Sequence, residues 1–253
     1  MLKILLSPAK SISKSPVSFG TPSTPIFEKQ AGRLVSLLKQ LSPQNIEKLM
    51  SVSPALAELN WSRYQEWTPL SDNSAPIQPA IAFTGEVYKG LDAVTFDEGQ
   101  WNNAQQSIRI LSGLYGILKP LDGIHAYRLE MGTKLQVDSA AKDLYSFWKE
   151  SLTSAFQSEL SSDDIVVNLA SQEYSKALNF SDLKNKIVTP LFKDEKNGKL
   201  KTIMMYAKKA RGSMARHIVR EGIENIEGLK ISEIDGYVYS EPLSTEKELV
   251  FTR

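Results

Sequence analysis

The stretch from Ile108 to Lys134 constrains the fold of this chain most, because it joins an apolar run to two closely spaced turn signals. Ile108 to Leu111 has the apolar character of a buried strand. Gly113 and Gly116 follow, and residues 119–123 then read Lys-Pro-Leu-Asp-Gly. Glycine allows a positive φ or a close backbone approach, and proline fixes φ. The stretch therefore predicts a strand followed by two tight turns.

Charged and apolar residues alternate directly after these turns. In an extended segment Arg128 and Glu130 point to one face, and Tyr127, Leu129 and Met131 point to the other. An arginine and a glutamate on one face, beside glycine-containing turns, are typical of a binding or catalytic site. They are equally typical of a surface ion pair on a strand, so these residues alone leave both interpretations open.

Strand-like and helix-like segments alternate along the whole chain. Buried strands are predicted at 2–6 and 165–169, and further strands at 77–83, 187–192, 200–206, 237–239 and 248–251. Helical spacing of apolar residues predicts helices at 26–41, 96–106, 143–160 and 207–221. Asn197-Gly198 between two strand patterns predicts a hairpin. With no repeat and no clear linker, residues 1–253 are expected to form a single mixed α/β domain.

Residues 43–60 form two short helical patterns joined by Ser51-Val-Ser-Pro54. This arrangement fits a helix-hairpin-helix, a motif that binds DNA phosphates through backbone N–H groups at the hairpin. The usual hairpin carries glycines where this chain has Ser51 and Ser53, and serine tolerates a positive φ less well. An ordinary helical hairpin therefore stays open as the alternative.

The segment from Lys196 to Arg220 contains eight basic residues and no acidic one, although the whole chain carries 30 basic and 29 acidic residues. The basic residues are Lys196, Lys199, Lys201, Lys208, Lys209, Arg211, Arg216 and Arg220. On a helix, Lys209, Arg216 and Arg220 fall on roughly one side. Such a run predicts either a surface that binds nucleic acid or another polyanion, or a solvated helix face.

Several functional classes receive no support from the sequence. The absence of cysteine excludes disulfides, thiolate metal sites and a cysteine nucleophile. His125 and His217 lie far apart without a ligand motif, so both are expected to be structural, and neither a metal site nor a cofactor is predicted. No apolar run is long enough for a signal peptide or a membrane helix. We expect a cytoplasmic protein with no membrane partner.

Polar residues follow several predicted strands. Lys10 comes after the first strand, Glu173 follows the strand at 165–169, and Arg128 and Glu130 follow the central turns. Because such residues often line a crevice in α/β sheets, we expect Lys10, Arg128 and Lys209 to converge. The resulting basic cleft could hold a nucleic-acid backbone. It could equally hold a small anionic substrate, with Glu130 or Glu173 as the acid or base.

Three blocks of the central stretch, Leu-Ser-Gly-Leu-Tyr-Gly, Lys-Pro-Leu-Asp and Tyr-Arg-Leu-Glu-Met-Gly, resemble the YaaA family of bacterial peroxide-stress proteins. Ser7-Pro-Ala-Lys10 and Tyr206-Ala-Lys-Lys-Ala-Arg-Gly212 are similar to two further blocks of that family, so the resemblance runs from about residue 2 to 251. It implies a mixed α/β fold described as cantaloupe-like, which includes a helix-hairpin-helix. It also implies a cytoplasmic role in peroxide defence, with limitation of free iron and DNA binding through a basic cleft.

The leading hypothesis is a non-enzymatic stress protein that binds duplex or branched DNA without sequence preference, with no cofactor and no implied protein partner. The predicted DNA or anion contacts are Lys10, Arg128, Lys208, Lys209, Arg211, Arg216, Ser51 and Ser53. The alternative is an enzyme that acts on a nucleotide-like or other anionic small molecule in the same cleft. The basic run favours the first hypothesis, and the carboxylates Glu130 and Glu173 favour the second.

Overall fold

Five parallel strands form the centre of a mixed sheet in the computed structural model, which describes residues 1–13, 18–70 and 76–253. The strands in this part of the chain are β1 Leu2–Leu6, β2 Ser11–Ile12, β3 Phe83–Thr84, β4 Ile108–Ser112, β5 Gly116–Leu118, β6 Ile165–Asn168, β7 Lys186–Lys196, β8 Lys199–Lys201, β9 Val238–Tyr239 and β10 Glu248–Thr252. All of them except β2 and β3, which pair with each other, join one eight-stranded sheet.

The main sheet has the order β5-β4-β1-β6-β7-β10-β9, and β8 pairs with β7. Strands β4, β1, β6, β7 and β10 run parallel, whereas the flanking strands β5, β8 and β9 are antiparallel to their neighbours. The chain leaves β1 for β4 on one side and later returns to β6 on the other. The strand order therefore reverses at β1 and β6, and such a reversal opens a crevice outside the carboxyl ends of the strands.

Ten helices surround the strands in the described part of the chain, and several begin at residues whose side chains cap them. They are α1 Glu28–Leu38, α2 Pro43–Met50, α3 Pro54–Glu66, α4 Pro79–Ala82, α5 Glu86–Leu91, α6 Glu98–Ser107, α7 Leu144–Ser158, α8 Gln172–Ser175, α9 Met204–Glu221 and α10 Ile226–Lys230. Asp97 and Asp143 form capping boxes at α6 and α7, and Ser42 caps α2 ahead of Pro43.

Strands β1 and β4 are buried along their whole length, which accounts for their mainly apolar sequences, although Lys3, Arg109 and Ser112 are buried with them. Trp148 of α7 is fully buried against this sheet and donates from Nε1 to the carbonyl of Gly113 at 2.9 Å. Helix α9 packs tightly on α5 through glycines. A Cβ at Gly212 would lie 1.7 Å from the Val87 carbonyl oxygen, so only glycine permits this approach.

Most predicted elements are confirmed. The sheet contains the predicted strands at 2–6, 108–111, 165–169 and 187–192, within one to a few residues at each end. Asn197 and Gly198 both have positive φ, of 56° and 70°, and form the predicted hairpin between β7 and β8. The closing antiparallel pair is β9 and β10. The prediction of one mixed α/β domain is confirmed by the single main sheet and its continuous core.

Two predicted strands are wrong. Within 77–83 the chain forms helix α4, because Pro79 occupies a first-turn position where its missing N–H is harmless; only Ile77 and Phe83 make strand-type contacts. Within 200–206 the strand ends at Lys201, and Met204 already begins α9, three residues earlier than predicted. In the described residues, no helix is both long and apolar enough to cross a membrane.

Candidate functional site

Polar residues from three separate parts of the chain meet outside the carboxyl ends of β1, β4 and β6. We call Ser7, Lys10, Arg128, Glu130, Ser171 and Glu173 the strand-end cluster. Ser7 and Lys10 follow β1, Ser171 and Glu173 follow β6, and the segment with Arg128 and Glu130 crosses the end of β4. This crossing requires Gly113, because a Cβ there would lie 2.2 Å from the Leu129 carbonyl oxygen.

Glu130 is the centre of the charged part of the cluster. Its Oε2 lies 2.6 Å from Lys10 Nζ, and its Oε1 accepts a hydrogen bond from Arg128 Nη2 at 3.0 Å. Arg128 and Glu130 are mostly buried, with 16% and 23% of their side chains exposed, whereas Lys10 is 63% exposed. The predicted alternation holds here, because Tyr127, Leu129 and Met131 are buried in the core.

Hydroxyls and the second carboxylate complete the cluster. The Ser7 hydroxyl accepts from the backbone N–H of Ser171 at 2.8 Å and lies 3.2 Å from the Ser171 hydroxyl, which ties the ends of β1 and β6 together. Glu173 Oε1 accepts from the backbone N–H of Gly132 at 3.1 Å. Carboxylates, hydroxyls and cations thus face one another at the point where the strand order reverses.

Buried tyrosines lie beneath this cluster. The Tyr88 hydroxyl donates to the Ser7 carbonyl at 3.0 Å, and the Tyr127 hydroxyl shares a 2.6 Å hydrogen bond with Ser112. Burial raises the pKa of Tyr174 well above its ordinary value, and the neighbouring Tyr127, Glu173 and Glu130 raise it further. These phenols therefore stay neutral and act as hydrogen-bonding groups beneath the carboxylates.

The predicted convergence of Lys10, Arg128 and Lys209 is met by two of the three residues. Lys10 and Arg128 both contact Glu130, whereas Lys209 Nζ lies 3.6 Å from Asp235 Oδ2. Arg216 pairs with Asp92 at 3.2 Å and donates to Thr95, so its charge is already balanced. Burial lowers the pKa of Arg211, and no ion pair to it occurs in the described part of the chain.

A second basic feature begins where β7 extends past its partners β6 and β10. Strand β7 pairs with β6 only as far as Val188 and with β10 as far as Lys193, and then continues into the β7–β8 hairpin. We call residues 196–209 the lysine arm; it contains Lys196, Lys199, Lys201, Lys208 and Lys209, all exposed, and no acidic residue. Within the described residues, Lys209 alone among these five is in an ion pair.

The base of the lysine arm is fixed. Buried Asp194 accepts from Tyr237 Oη at 2.7 Å and from Arg253 Nε at 2.8 Å. The Arg253 guanidinium also lies over the rings of Tyr237 and Tyr206, at 4.3 and 4.9 Å from their centroids. The sequence contained the acid-free run but gave no sign that a buried aspartate anchors it, because the partners lie 43 and 59 residues away.

The predicted hairpin has the geometry that a glycine usually supplies. Ser51 ends α2 in the left-handed region with φ 51° and ψ 52°, and Ser53 accepts from the Leu56 N–H at the start of α3. Both serines are exposed. Two helices therefore meet at an exposed, tight turn. Whether this turn contacts DNA stays a prediction.

The described residues contain no group of three or more histidine, cysteine, aspartate or glutamate side chains placed to hold a metal ion. His217 lies 2.9 Å from the Ser232 hydroxyl, and His125 lies 2.9 Å from the Thr68 carbonyl. Both histidines therefore have structural partners.

Comparison with known proteins identifies relatives along nearly the whole chain. A family model described as "Peroxide stress protein YaaA" matches residues 2–243. A UPF0246 protein of Tolumonas auensis is 46% identical over 252 residues, which cover 98% of this chain and 96% of the relative. A UPF0246 protein of Shewanella oneidensis is 45% identical, over 99% of this chain and 98% of the relative. A UPF0246 protein of Flavobacterium psychrophilum is 46% identical, over 100% of both chains.

Proposed function

Since the chain belongs to the peroxide stress protein YaaA family, we propose that it is a peroxide-stress protein that binds DNA through the lysine arm and the neighbouring basic residues. One observation carries the DNA-binding part of this proposal. Five exposed lysines lie within fourteen residues that contain no acid, along the β7–β8 hairpin and the start of α9. Four of these lysines have no ion pair among the described residues, and Lys209 alone pairs with Asp235. Exposed cations of this kind release counterions when they contact phosphates, which makes DNA binding favourable without base recognition.

The hairpin at Ser51 and Ser53 supports the same proposal. Its exposed turn and the start of α3 carry backbone N–H groups, and such groups can bind a phosphate oxygen. Lys10, Arg128, Lys208, Lys209, Arg211 and Arg216 remain the proposed basic contacts. Of these, Lys208 is the strongest candidate, because it is exposed and has no ion pair among the described residues, whereas Arg216 pairs with Asp92.

Family membership supports a proposal about the biological role. We propose that DNA binding protects or handles DNA damaged by peroxide, and that the protein helps to limit free iron in the cytoplasm. The iron part of this proposal rests on family resemblance alone.

Anisotropy titrations with a labelled duplex test DNA binding. The variant Lys199→Ala/Lys201→Ala/Lys208→Ala removes three exposed charges from the arm. The control Lys142→Ala/Lys149→Ala/Lys176→Ala removes three exposed lysines elsewhere, so the net charge changes equally. The arm variant should lose most of its affinity, and the control should lose little. Equal losses in the two variants would mean that only total charge matters and would remove the arm from the proposal.

The strand-end cluster favours a second candidate function. Glu130 contacts two cations and Glu173 lies at the neighbouring strand end, where α/β enzymes place their chemistry, so the protein could instead be an enzyme acting on a small anionic molecule. Replacing Glu173 by Gln separates the two functions. An enzyme would lose peroxide protection in cells while DNA affinity stayed unchanged. A DNA-binding protein that uses only the arm would retain both.

A further inference from the structure

The strand-end cluster has features of a small-ligand site that DNA binding does not require. Lys10, Arg128 and Glu173 come from three distant stretches, and each lies just past the carboxyl end of a parallel strand. The ends of β1 and β6 are joined there by Ser7 and Ser171. In open α/β sheets the place where the strand order reverses is the usual ligand position, since side chains from both halves of the sheet face one gap.

Arg128 is only partly used inside the protein. Its Nη2 donates to Glu130, but its buried Nε has no hydrogen-bond partner in the described part of the chain. A guanidinium presents its donors as a rigid fork that matches two oxygens of one oxyanion. Glu130 contributes one oxygen to this fork and directs the other to Lys10. A buried polar group without a partner is uncommon in folded proteins and calls for an explanation.

We infer that the strand-end cluster binds the phosphate group of a small phosphate monoester, with Arg128 and Lys10 as its cationic contacts. In the free protein the Glu130 carboxylate occupies the oxyanion position. The phosphate replaces it at the Arg128 fork, and Glu130 turns aside. The inference rests on the second candidate function and deepens it, because it names the class of ligand that the strand-end cluster takes. Lys10 and Arg128, also proposed above as DNA contacts, would bind this ligand, and the lysine arm takes no part.

The carboxylate of Glu173 narrows the chemical class of the ligand further. Glu173 uses Oε1 for the backbone N–H of Gly132, and no partner to Oε2 occurs among the described residues. A carboxylate oxygen beside a phosphate would repel it, but it accepts readily from a hydroxyl. The organic part of the ligand therefore carries hydroxyl groups, as in a nucleoside monophosphate or a sugar phosphate. Inorganic phosphate lacks this part and should bind more weakly.

Isothermal titration calorimetry with adenosine monophosphate and with inorganic phosphate tests the inference. Arg128→Lys keeps the charge and loses the fork, so affinity should fall by roughly 10- to 100-fold, the range that one charge-assisted hydrogen bond corresponds to. Glu130→Gln removes the competing charge, so affinity should rise several-fold. Lys10→Ala, at an exposed position, should weaken binding without affecting folding. Arg33→Ala breaks an exposed ion pair with Asp138 elsewhere and is the control for charge.

Opposite changes in ligand affinity, a decrease in Arg128→Lys and an increase in Glu130→Gln, are the distinguishing result. A purely structural ion pair would give two variants that are both less stable and bind equally poorly. Tight binding of either probe that survives Arg128→Lys, or no binding of either probe at millimolar concentration to the wild type and to Glu130→Gln, would overturn the inference. None of these outcomes depends on the lysine arm, whose own test uses duplex DNA and the arm variant.

Discussion

The contact between α5 and α9 gives the sharpest prediction about stability. Helix α9 carries the end of the lysine arm, and it packs on α5 where Gly90 and Gly212 remove side chains from both surfaces. A Cβ at Gly212 would lie 1.7 Å from the Val87 carbonyl oxygen and 2.8 Å from the Leu91 nitrogen. Both neighbours are backbone atoms, so no rotamer change relieves the clash. Gly212→Ala must therefore move the helices apart.

The size of the effect follows from this geometry. Non-bonded heavy atoms sit at about 3.5 Å, so the helices would have to separate by nearly 2 Å at this point. Separation would loosen Tyr88 and Leu91, which are buried on α5. Overpacking costs typically 1–3 kcal/mol, and a Cβ that clashes with backbone atoms belongs at the upper end, at about 3 kcal/mol. For a chain of this size the melting temperature should fall by roughly 6–12 °C.

Urea unfolding followed by circular dichroism measures this loss of stability. Gly99→Ala is the matched control, because Gly99 is exposed in α6 and a Cβ there would come no closer than 3.4 Å to Asp97. The same substitution should there be neutral or stabilise by up to about 1 kcal/mol, since alanine favours a helix more than glycine does. If the free energy of unfolding of Gly212→Ala lies within about 0.5 kcal/mol of the wild-type value, the packing argument is incorrect.

Three further predictions concern local interactions. Ser42→Ala removes the cap of α2, whose Oγ accepts from the Asn45 N–H at 3.2 Å, and should cost about 1 kcal/mol in urea unfolding; a loss below about 0.3 would count against the cap. Trp148→Phe leaves the buried Gly113 carbonyl without its donor and should cost about 1–3 kcal/mol, so an unchanged free energy of unfolding would contradict that role. Hydrogen bonds from Ser146 lower the pKa of Asp143, so its stabilisation is complete above the ordinary pKa of about 3.9 and is lost as the pH falls through the lowered folded value. Asp143→Asn should therefore reduce the loss of stability between about pH 5 and pH 2, and an unchanged pH profile would argue against the linkage.

Local signals predicted much of the fold. The mainly apolar segments at 2–6 and 108–111, each with one basic residue, are buried strands because the sheet is covered on both faces there. Asn197-Gly198 predicted a hairpin, since both positions need a positive φ. The strand predicted at 77–83 is wrong, because a short apolar run is compatible with either a strand or a buried helix. Pro79, in the first turn of α4, favours the helix. Sheet order was not predictable, because pairing depends on contacts far apart in the chain.

The candidate site was predictable only in part. Lys10, Arg128 and Lys209 were expected to converge because each follows a predicted strand or begins the basic helix. Lys10 and Arg128 do meet, at Glu130, whereas Lys209 pairs with Asp235. Glu130 as a partner shared by both cations was not predicted, since that depends on side-chain placement across 120 residues of sequence. The pairing of Arg216 with Asp92 was not predicted either. Because this pairing balances the charge of Arg216 in the middle of α9, the DNA proposal rests mainly on the lysine arm.

The salt dependence of DNA affinity tests the proposed function most directly. Wild type and the variant Lys199→Ala/Lys201→Ala/Lys208→Ala are titrated with one duplex at salt concentrations between about 50 and 200 mM. Each phosphate contact contributes roughly 0.9 to the slope of log affinity against log salt, so the variant should lose roughly 2.7 units of slope, whatever the DNA sequence. A folded variant that keeps the wild-type slope would show that the lysine arm does not contact the DNA backbone.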